Sequence, residues 1–330
     1  MTDIARTLPP NPSASNRGAS SGADGLPAHA PDTYYDQPML KKPHWEWEVI
    51  LYLFLGGVMG GSGMLVAIAD DREGHEADLA RSARYVSFAL AAACPLILVK
   101  HLGRPERFLY MLRIFKLKSV MSMGVWGLIA FTAPAALAAA GQASRDGLLP
   151  GWIRHLAPRS ITTPLQALFG AFICGYTGVL ISATAIPVWA IGKRYIPAIS
   201  VCSGIVGACA ANVAVLALTG GSEKTKRKIE NLELVAGAAE LVLLQAFQRH
   251  AGKLGDPMFR GERGRKLQTV TIIGGIIVPA LLNLLPIHNR FKTVVTSAMT
   301  LVGGYNLRES YIESGKDSAD DPKAASRQPE

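Results

Sequence analysis

The sequence is poor in charge and poor in cysteine, and each shortage excludes a class of protein. Charged residues make up only 18% of the 330 positions, whereas soluble globular domains contain about 25%. The four cysteines include no CxxC pair, although structural zinc sites and iron–sulfur clusters need clustered thiolates. We therefore expect neither an ordinary soluble domain nor a protein that holds a cluster of its own.

The seven histidines are dispersed in the same way. None lies in the middle third of an apolar stretch, and no two fall in the same stretch. A transmembrane b-type cytochrome needs paired axial imidazoles that project into a helical bundle. Together with the cysteines, this pattern predicts that the protein binds no haem, no iron–sulfur cluster and no other metal.

Hydrophobic residues, in contrast, make up 49% of the chain and are concentrated in its middle. They form eight apolar stretches, each long enough to cross a hydrocarbon core of about 30 Å as a helix. The periodicity is helical and lacks the alternation of an outer-membrane barrel. The predicted fold is all-α, a polytopic membrane protein of eight transmembrane helices at residues 48–69, 80–101, 119–140, 163–186, 196–218, 229–248, 267–286 and 292–310.

The two ends of the chain differ from this middle. Residues 1–44 contain seven prolines and no apolar run, so we expect a disordered polar tail without a cleavable signal peptide. Residues 313–330 have a similar composition, and a second disordered tail is predicted there. The membrane domain is accordingly assigned to residues 45–312.

The net charge of +9 is interpreted as basic loops facing lipid headgroups. A nucleic-acid partner is not expected, because no basic soluble segment with interleaved aromatic residues is present. With eight helices, most Lys and Arg residues fall in the two tails and in the loops after the second, fourth and sixth helices. The positive-inside rule then predicts cytoplasmic termini, although the basic run at 224–228 lies on the other side.

The entrance to the first apolar stretch carries the first candidate site. Trp45, Glu48 and Tyr52 are spaced i, i+3 and i+7, so they share one face of a helix. A carboxylate and a phenol at this depth can hydrogen-bond a quinone carbonyl oxygen and exchange protons with it. A tryptophan at this position is equally ordinary in the aromatic belt of a membrane protein. Quinone site and interfacial anchor both remain open on these residues.

Two further stretches hold polar groups at depth. Tyr176 lies mid-span and faces either a pocket or a neighbouring helix. Glu233 and Glu240 are seven residues apart and share a helical face. Carboxylates at such depth indicate a proton path or an ion site. The structural alternative is a hydrogen bond between helices, with Asn212 or Asn283 as the available partner.

Three segments then occur in a characteristic order: WEWEVILYLFLGG, HLGRPERFLYMLRIFK with the following S-x-M-S-x-G-x-W, and GYTGVLISATAIPVW. Together they resemble the NrfD/PsrC-type family, the membrane subunits of polysulfide- and nitrite-reductase-like complexes, over about residues 45–310. One departure is visible, because the family commonly has Asp before LGRP where this sequence has His101. A role in proton transfer at that position is therefore in doubt.

The resemblance implies a quinone-reactive anchor of two four-helix bundles that carries no cofactor of its own. It further implies a ferredoxin-like iron–sulfur partner subunit, which often serves a molybdopterin catalytic subunit. Carried over by motif, Glu48 and Tyr52 match the quinone-binding positions of the first helix, and Tyr176 matches the tyrosine of the fourth. The loop at 100–118, with His101, Arg104 and Arg107, then corresponds to the docking surface for the iron–sulfur subunit. In the better-known relatives this partner lies outside the cytoplasmic membrane, which conflicts with the charge count.

The favoured function is therefore that of a multi-pass subunit of the cytoplasmic membrane that binds menaquinone or ubiquinone as substrate and exchanges electrons with an iron–sulfur partner. Two alternatives remain. An ion-coupled secondary transporter would use Glu233 and Glu240, but such transporters commonly show internal repeats, and none is evident between residues 48–186 and 196–310. A purely structural anchor would tolerate changes at Glu48 and Tyr52.

Overall fold

The computed structural model describes residue 40 and residues 43–69, 77–101, 106, 108–285 and 289–320. Within these ranges the chain forms helices and no strands, as the sequence predicts for an all-α protein. We number the eight long helices of the described residues in order along the sequence: α1 (Trp47–Ala69), α2 (Ala77–His101), α3 (Val120–Arg145), α4 (Arg159–Ser182), α5 (Ile196–Thr219), α6 (Glu223–Ala251), α7 (Gly261–Leu284) and α8 (Arg290–Asp320).

Six of these helices, α1 to α5 and α7, are long and apolar enough to cross a membrane. The protein is therefore a helical multi-pass membrane protein, as predicted. Helices α6 and α8 are the exceptions in the described part of the chain, because they carry charged and amide side chains along their length, among them Glu240 and Arg308. The count of eight spans stays a prediction.

Contacts between distant residues define two ends of the helical domain. At one end, the start of α2 meets the residue after α3, since Arg81 Nε donates to Asp146 Oδ2 at 2.9 Å. At the other, the Trp45 ring stacks on Trp189 at 5.1 Å, and the Trp189 indole N–H donates to Tyr311 O of α8. We call these the Asp146 end and the Trp189 end. The start of α1 and the far part of α8 both lie at the Trp189 end.

The helices pack as two groups that meet along α1 and α5. In the first group α1 packs against α2 and α4, while α3 packs against α2 and α4. In the second group α5 packs against α6 and α8, and α7 packs against α8. Glycines allow the closest approaches: a Cβ at Gly61 would lie 2.5 Å from Gly204 O, and one at Gly275 would lie 2.7 Å from the Gly303 Cα. The glycine-rich first and seventh helices thus serve tight packing, as their sequences predict.

Helix α8 extends further than the sequence analysis placed it. The predicted membrane domain ends at residue 312, whereas α8 continues to Asp320 with Ser314, Gly315 and Ser318 buried. The reason is a short helix at Pro187–Ile191 that covers this end of α8. A Cβ at Gly315 would overlap the indole of Trp189, and the amide N–H of Val188 donates to Ser318 Oγ. The rest of the predicted C-terminal tail and nearly all of residues 1–44 lie outside the described residues.

Candidate functional site: an apolar cavity with two tyrosines

A cavity of about 510 Å³ lies among α1 to α4 at the Trp189 end. Its volume falls within the range of about 300–1,000 Å³ that small-molecule sites occupy. The wall is mainly aliphatic and aromatic, with few polar groups. The lining includes Trp45, Val49, Tyr52, His101, Gly124 and Tyr176.

Two tyrosines from neighbouring helices line this cavity. Tyr52 of α1 is 3% exposed and Tyr176 of α4 is 6% exposed. Within the described part of the chain, neither hydroxyl makes a hydrogen bond to the protein. A buried phenol normally finds a partner, so a bound molecule with an acceptor oxygen would satisfy both groups. The structure thus brings together two of the predicted quinone-binding residues.

The position of Tyr176 depends on α3. A Cβ added at Gly124 would overlap the Tyr176 hydroxyl, and one at Gly127 would overlap the ring of Phe172. Phe172 and Tyr176 stack at 5.9 Å with an interplanar angle of 17°. Two glycines on one face of α3 therefore seat two stacked rings of α4, and they aim the phenol of Tyr176 at the cavity.

Glu48 lies differently from the predicted arrangement. It is buried at 8% exposure, and its Oε2 has no hydrogen-bond partner among the residues described. However, Trp45, Val49 and Tyr52 line the cavity, and Glu48 is not in its wall. The cavity-facing side of α1 is thus turned by about one residue from the face that Glu48 was expected to share. A role for Glu48 at the quinone stays a prediction.

The loop predicted to dock the partner is only partly described. His101 closes α2 and lines the cavity together with Phe108 and Leu112. Arg104 and Arg107 lie outside the described residues. The described part of this loop contains a single helical turn, Phe108–Met111, and its backbone is non-helical at Phe115. The docking surface stays a prediction, and His101 lines the same cavity as both tyrosines.

Glu233 and Glu240 occupy separate surroundings on α6. Glu233 Oε1 accepts a hydrogen bond from Thr300 Oγ1 of α8 at 3.0 Å. Glu240 is 2% exposed and lies within range of charge interaction with Arg308. Asn212, one of the two expected partners, instead contacts α1 and α2 through Ser62 Oγ and Ser82 Oγ. The interhelical bond predicted as an alternative therefore exists for Glu233, with threonine as its donor.

Arg308 is a deep polar residue that the sequence analysis passed over. It is 1% exposed, and its Nη2 donates to Ser200 O of α5 at 3.3 Å. Its Nε and Nη1, like the hydroxyl of Tyr311, have no hydrogen-bond partner in the described part of the chain. Buried polar groups of this kind ordinarily bind ordered water. The sequence signal that would have identified it is an ionisable residue within the predicted eighth stretch at 292–310.

No arrangement typical of a metal site occurs in the described residues, where no three His, Cys, Asp or Glu side chains lie close enough to hold an ion. The four cysteines are free thiols in this part of the protein. Cys174 Sγ, for example, lies 3.3 Å from Gly57 O. The absence of haem and iron–sulfur clusters remains a prediction for the purified protein.

The fold and the cavity define a class: a helical multi-pass membrane protein with a mostly apolar cavity of the size that small-molecule sites have. Comparison with known proteins places it more narrowly. The family described as "Polysulphide reductase, NrfD" matches residues 37–312. The protein belongs to this family, and the predicted resemblance is confirmed.

Individual relatives are distant. The protein is 26% identical to the C subunit of polysulfide reductase from Wolinella succinogenes, over 62% of its own length and 67% of that relative. It is 24% identical to the NrfD homolog of Haemophilus influenzae, over 82% of its own length and 94% of that relative. Protein NrfD of Escherichia coli is 26% identical over 62% of the present sequence and 70% of its own.

Proposed function

We propose that the protein is the quinone-binding membrane subunit of an oxidoreductase complex in the cytoplasmic membrane. The observation that carries this proposal is the cavity among α1 to α4, into which Tyr52 and Tyr176 bring hydroxyls with no other partner in the described residues. A quinone headgroup has two carbonyl oxygens, so it offers one acceptor to each phenol. Its isoprenoid tail matches the apolar remainder of the wall.

The phenols have different tasks from the proton-exchanging groups. A tyrosine hydroxyl orients the headgroup by donating to a carbonyl oxygen, and this interaction strengthens as the oxygen gains electron density during reduction. Protons must also enter or leave, and we assign this exchange to His101 in the wall and to Glu48, the chain neighbour of Val49 in the wall. Electrons pass between the quinone and a partner, since the protein is expected to hold no redox centre.

We further propose a ferredoxin-like iron–sulfur subunit as that partner, with a molybdopterin or other catalytic subunit beyond it. The polysulfide reductase relative is, by its name, one component of a larger enzyme, which supports a multi-subunit assembly here. The cavity lies at the Trp189 end, where His101 and the loop after α2 begin. Docking at this end, through Arg104 and Arg107, would bring a cluster near the quinone.

Quinone binding to the isolated protein tests the proposal. The purified protein in nanodiscs is titrated with a short-tailed ubiquinone or menaquinone analogue, and quenching of tryptophan fluorescence is followed, because Trp45 lines the cavity. Saturable quenching with one site per molecule is expected. Quenching that rises linearly with quinone, or that is unchanged in Tyr52→Phe/Tyr176→Phe, contradicts a site in this cavity.

A proton path through α6 is a second, additional proposal. Glu240 is buried near Arg308, and the unpartnered guanidinium nitrogens and the Tyr311 hydroxyl provide places for ordered water. Glu233 lies two turns away on the same helix and contacts Thr300. An entrapped pH dye that follows proton movement during quinol turnover in proteoliposomes tests this path. The proton movement should be lost in Glu240→Gln.

A further inference from the structure

A second cavity, of about 520 Å³, opens at the Asp146 end between α6 and α7. It lies at the opposite end of the domain from the tyrosine cavity, because its wall includes the start of α6, the end of α7 and the start of α8. Its deeper part is apolar, with Leu234 and Leu241 on one side and Ile277 and Leu281 on the other. Leu234 and Leu281 are exposed at 39% and 59%, so the apolar part opens to the surface between the two helices and a hydrocarbon tail can enter it.

The polar part of the cavity carries charges of both signs. Glu223, Glu230 and Glu233 line it together with Arg227 and Lys292. Glu223 is paired with Lys226, and Glu233 accepts from Thr300, which leaves Glu230 as the lining carboxylate best placed to accept from a ligand. The carboxylates would repel a purely anionic ligand. A neutral ligand would pair with neither the carboxylates nor the basic side chains.

Two side chains define where each part of a ligand fits. Asn283 Oδ1 is buried and has no hydrogen-bond partner among the described residues, and a carbonyl oxygen of this kind needs a donor. Lys292 Nζ donates to the last carbonyls of α7, Leu282 O at 2.8 Å and Leu285 O at 3.3 Å. An ammonium has three hydrogens, so one remains for an acceptor on the ligand.

We propose that this cavity binds one aminophospholipid of the phosphatidylethanolamine type. Its primary ammonium lies toward Glu230 and Asn283, its phosphate toward Lys292, and an acyl tail between α6 and α7. The choice among phospholipids follows from hydrogen bonding. A choline headgroup has no N–H to give to Asn283 Oδ1, and a glycerol headgroup has no positive charge to pair with Glu230.

The bound lipid would fill the gap that α6 and α7 leave between them. Helix α7 is π-helical over Leu267–Ile277, and α6 is not one of the six candidate spans. A lipid held at this place would add apolar packing to the exposed faces of the two helices beside the close approach of Gly237 and Ile276. The site is independent of the quinone proposal, because it shares no residue with the tyrosine cavity.

Native mass spectrometry tests the proposal on the full-length protein with any subunits that co-purify. The protein is reconstituted in nanodiscs that contain equal amounts of phosphatidylethanolamine, phosphatidylcholine and phosphatidylglycerol plus a quinone, and is then released into the spectrometer. One phosphatidylethanolamine per molecule is expected to survive activation. Retention of the three lipids in their bulk ratio, preference for the glycerol or choline lipid, or a quinone in their place would each overturn the proposal.

Two variants locate the site. Glu230→Gln and Asn283→Ala should each reduce retention of phosphatidylethanolamine about fivefold, the factor that one lost hydrogen bond of about 1 kcal/mol represents. Glu262→Gln is the matched control, because it removes an exposed carboxylate at the opposite end of α7. Unchanged retention in both variants would overturn the assignment to this cavity. Should a variant fail to fold, the lipid preference of the unchanged protein still decides whether the cavity binds phosphatidylethanolamine.

Discussion

The hydroxyl of Tyr176 occupies the space that a side chain at Gly124 would fill. The two residues come from different helices and from different sequence motifs, S-x-M-S-x-G-x-W and GYTGVLISATAIPVW. Their contact turns two separate motifs into one feature of the cavity, because the phenol reaches the space beside Tyr52 only if position 124 has no side chain. The function of Tyr176 should therefore depend on Gly124, a residue without a side chain.

Gly124→Ala should weaken quinone binding although it removes no polar group from the protein. The added methyl group displaces the Tyr176 hydroxyl, so the apparent KM for quinol should rise about fivefold or more, as expected for a lost hydrogen bond. The measurement is quinol-linked turnover of the complex in membranes. Gly175→Ala is the control, since its Cβ would meet only Val201 at an ordinary 3.6 Å. Equal KM values for the two variants would contradict the proposed role of Tyr176.

Removal of either phenol hydroxyl should act mainly on binding. Tyr52→Phe and Tyr176→Phe keep the ring and its packing but lose the donor, so each should raise the KM for quinol by about fivefold. If both hydroxyls contact one headgroup, the free-energy changes of the two single variants should not add up to that of the double variant. The reason is that the loss of one hydrogen bond changes the strength of the other. Tyr110→Phe, at a 62% exposed position, is the control. Wild-type kinetics in both single variants would place the quinone elsewhere.

Sequence predicted the bounds of a helix well where the helix coincides with an apolar run and less well where it continues through polar residues. The first stretch was predicted at 48–69 and α1 is Trp47–Ala69, because its apolar run coincides with the helix. The predicted third and sixth stretches are shorter than α3 and α6, which continue through polar residues such as Gln142 and Lys226. Both side chains are buried by partners, and an apolar run gives no sign that a helix continues through polar residues beyond it.

The site shows the same limit. Motif and depth were enough to select Tyr52 and Tyr176, and the structure places both in one cavity. They were not enough for Glu48, because the rotation of α1 about its axis is set by packing against α2, α4 and α5. The link between Gly124 and Tyr176 requires the relative heights of α3 and α4, which no single segment encodes. Neighbouring helices, rather than local sequence, thus determine which side of a helix faces the cavity.

The carboxylate after α3 should stabilise the fold in a pH-dependent way. Asp146 lies outside the membrane-spanning segment and accepts hydrogen bonds from Arg81, from the Tyr85 hydroxyl at 2.6 Å and from Gln142 at 3.0 Å. Burial raises the pKa of Asp146, but the hydrogen bonds from Tyr85 and Gln142 and the Arg81 charge outweigh it, so the pKa lies below its usual value. A depressed carboxyl pKa stabilises the folded state above the unfolded pKa of about 3.9, and the contribution is lost as pH falls through the folded value.

Asp146→Asn should therefore lower the Tm in detergent at pH 7, by an amount equivalent to about 1–2 kcal/mol. The difference from the unchanged protein should shrink when the melts are repeated below about pH 4. Asp256→Asn is the control, because Asp256 is paired only with the exposed Arg260 one turn away, and such pairs contribute little. A Tm difference that does not vary with pH would assign the effect to lost packing rather than to the charge.

Glu240 and Arg308 should depend on each other. Glu240→Gln removes the carboxylate charge that acts on the buried guanidinium of Arg308, so it should lower the Tm. Glu240→Gln/Arg308→Gln removes both charges, so it should melt at a higher temperature than Glu240→Gln alone. Thermal melts of Glu240→Gln, Arg308→Gln and the double variant in detergent give the comparison. Additive losses would mean that the two residues do not interact, and the proposed proton path would lose its charged centre.

Glu48 offers the sharpest separation of proton transfer from binding. It is buried beside the cavity but is not in its wall, and its Oε2 has no hydrogen-bond partner in the described residues. Glu48→Gln keeps the shape and abolishes proton exchange, so it should lower kcat with little change in the KM for quinol. This is the opposite pattern from Tyr52→Phe, measured in the same turnover assay with subunit retention checked by immunoblot.

Glu46→Gln is the control, because Glu46 is exposed and paired with His44. If Glu48→Gln turns over at the wild-type rate in a fully assembled complex, protons reach the quinone by another group, and His101 in the cavity wall becomes the residue to change next.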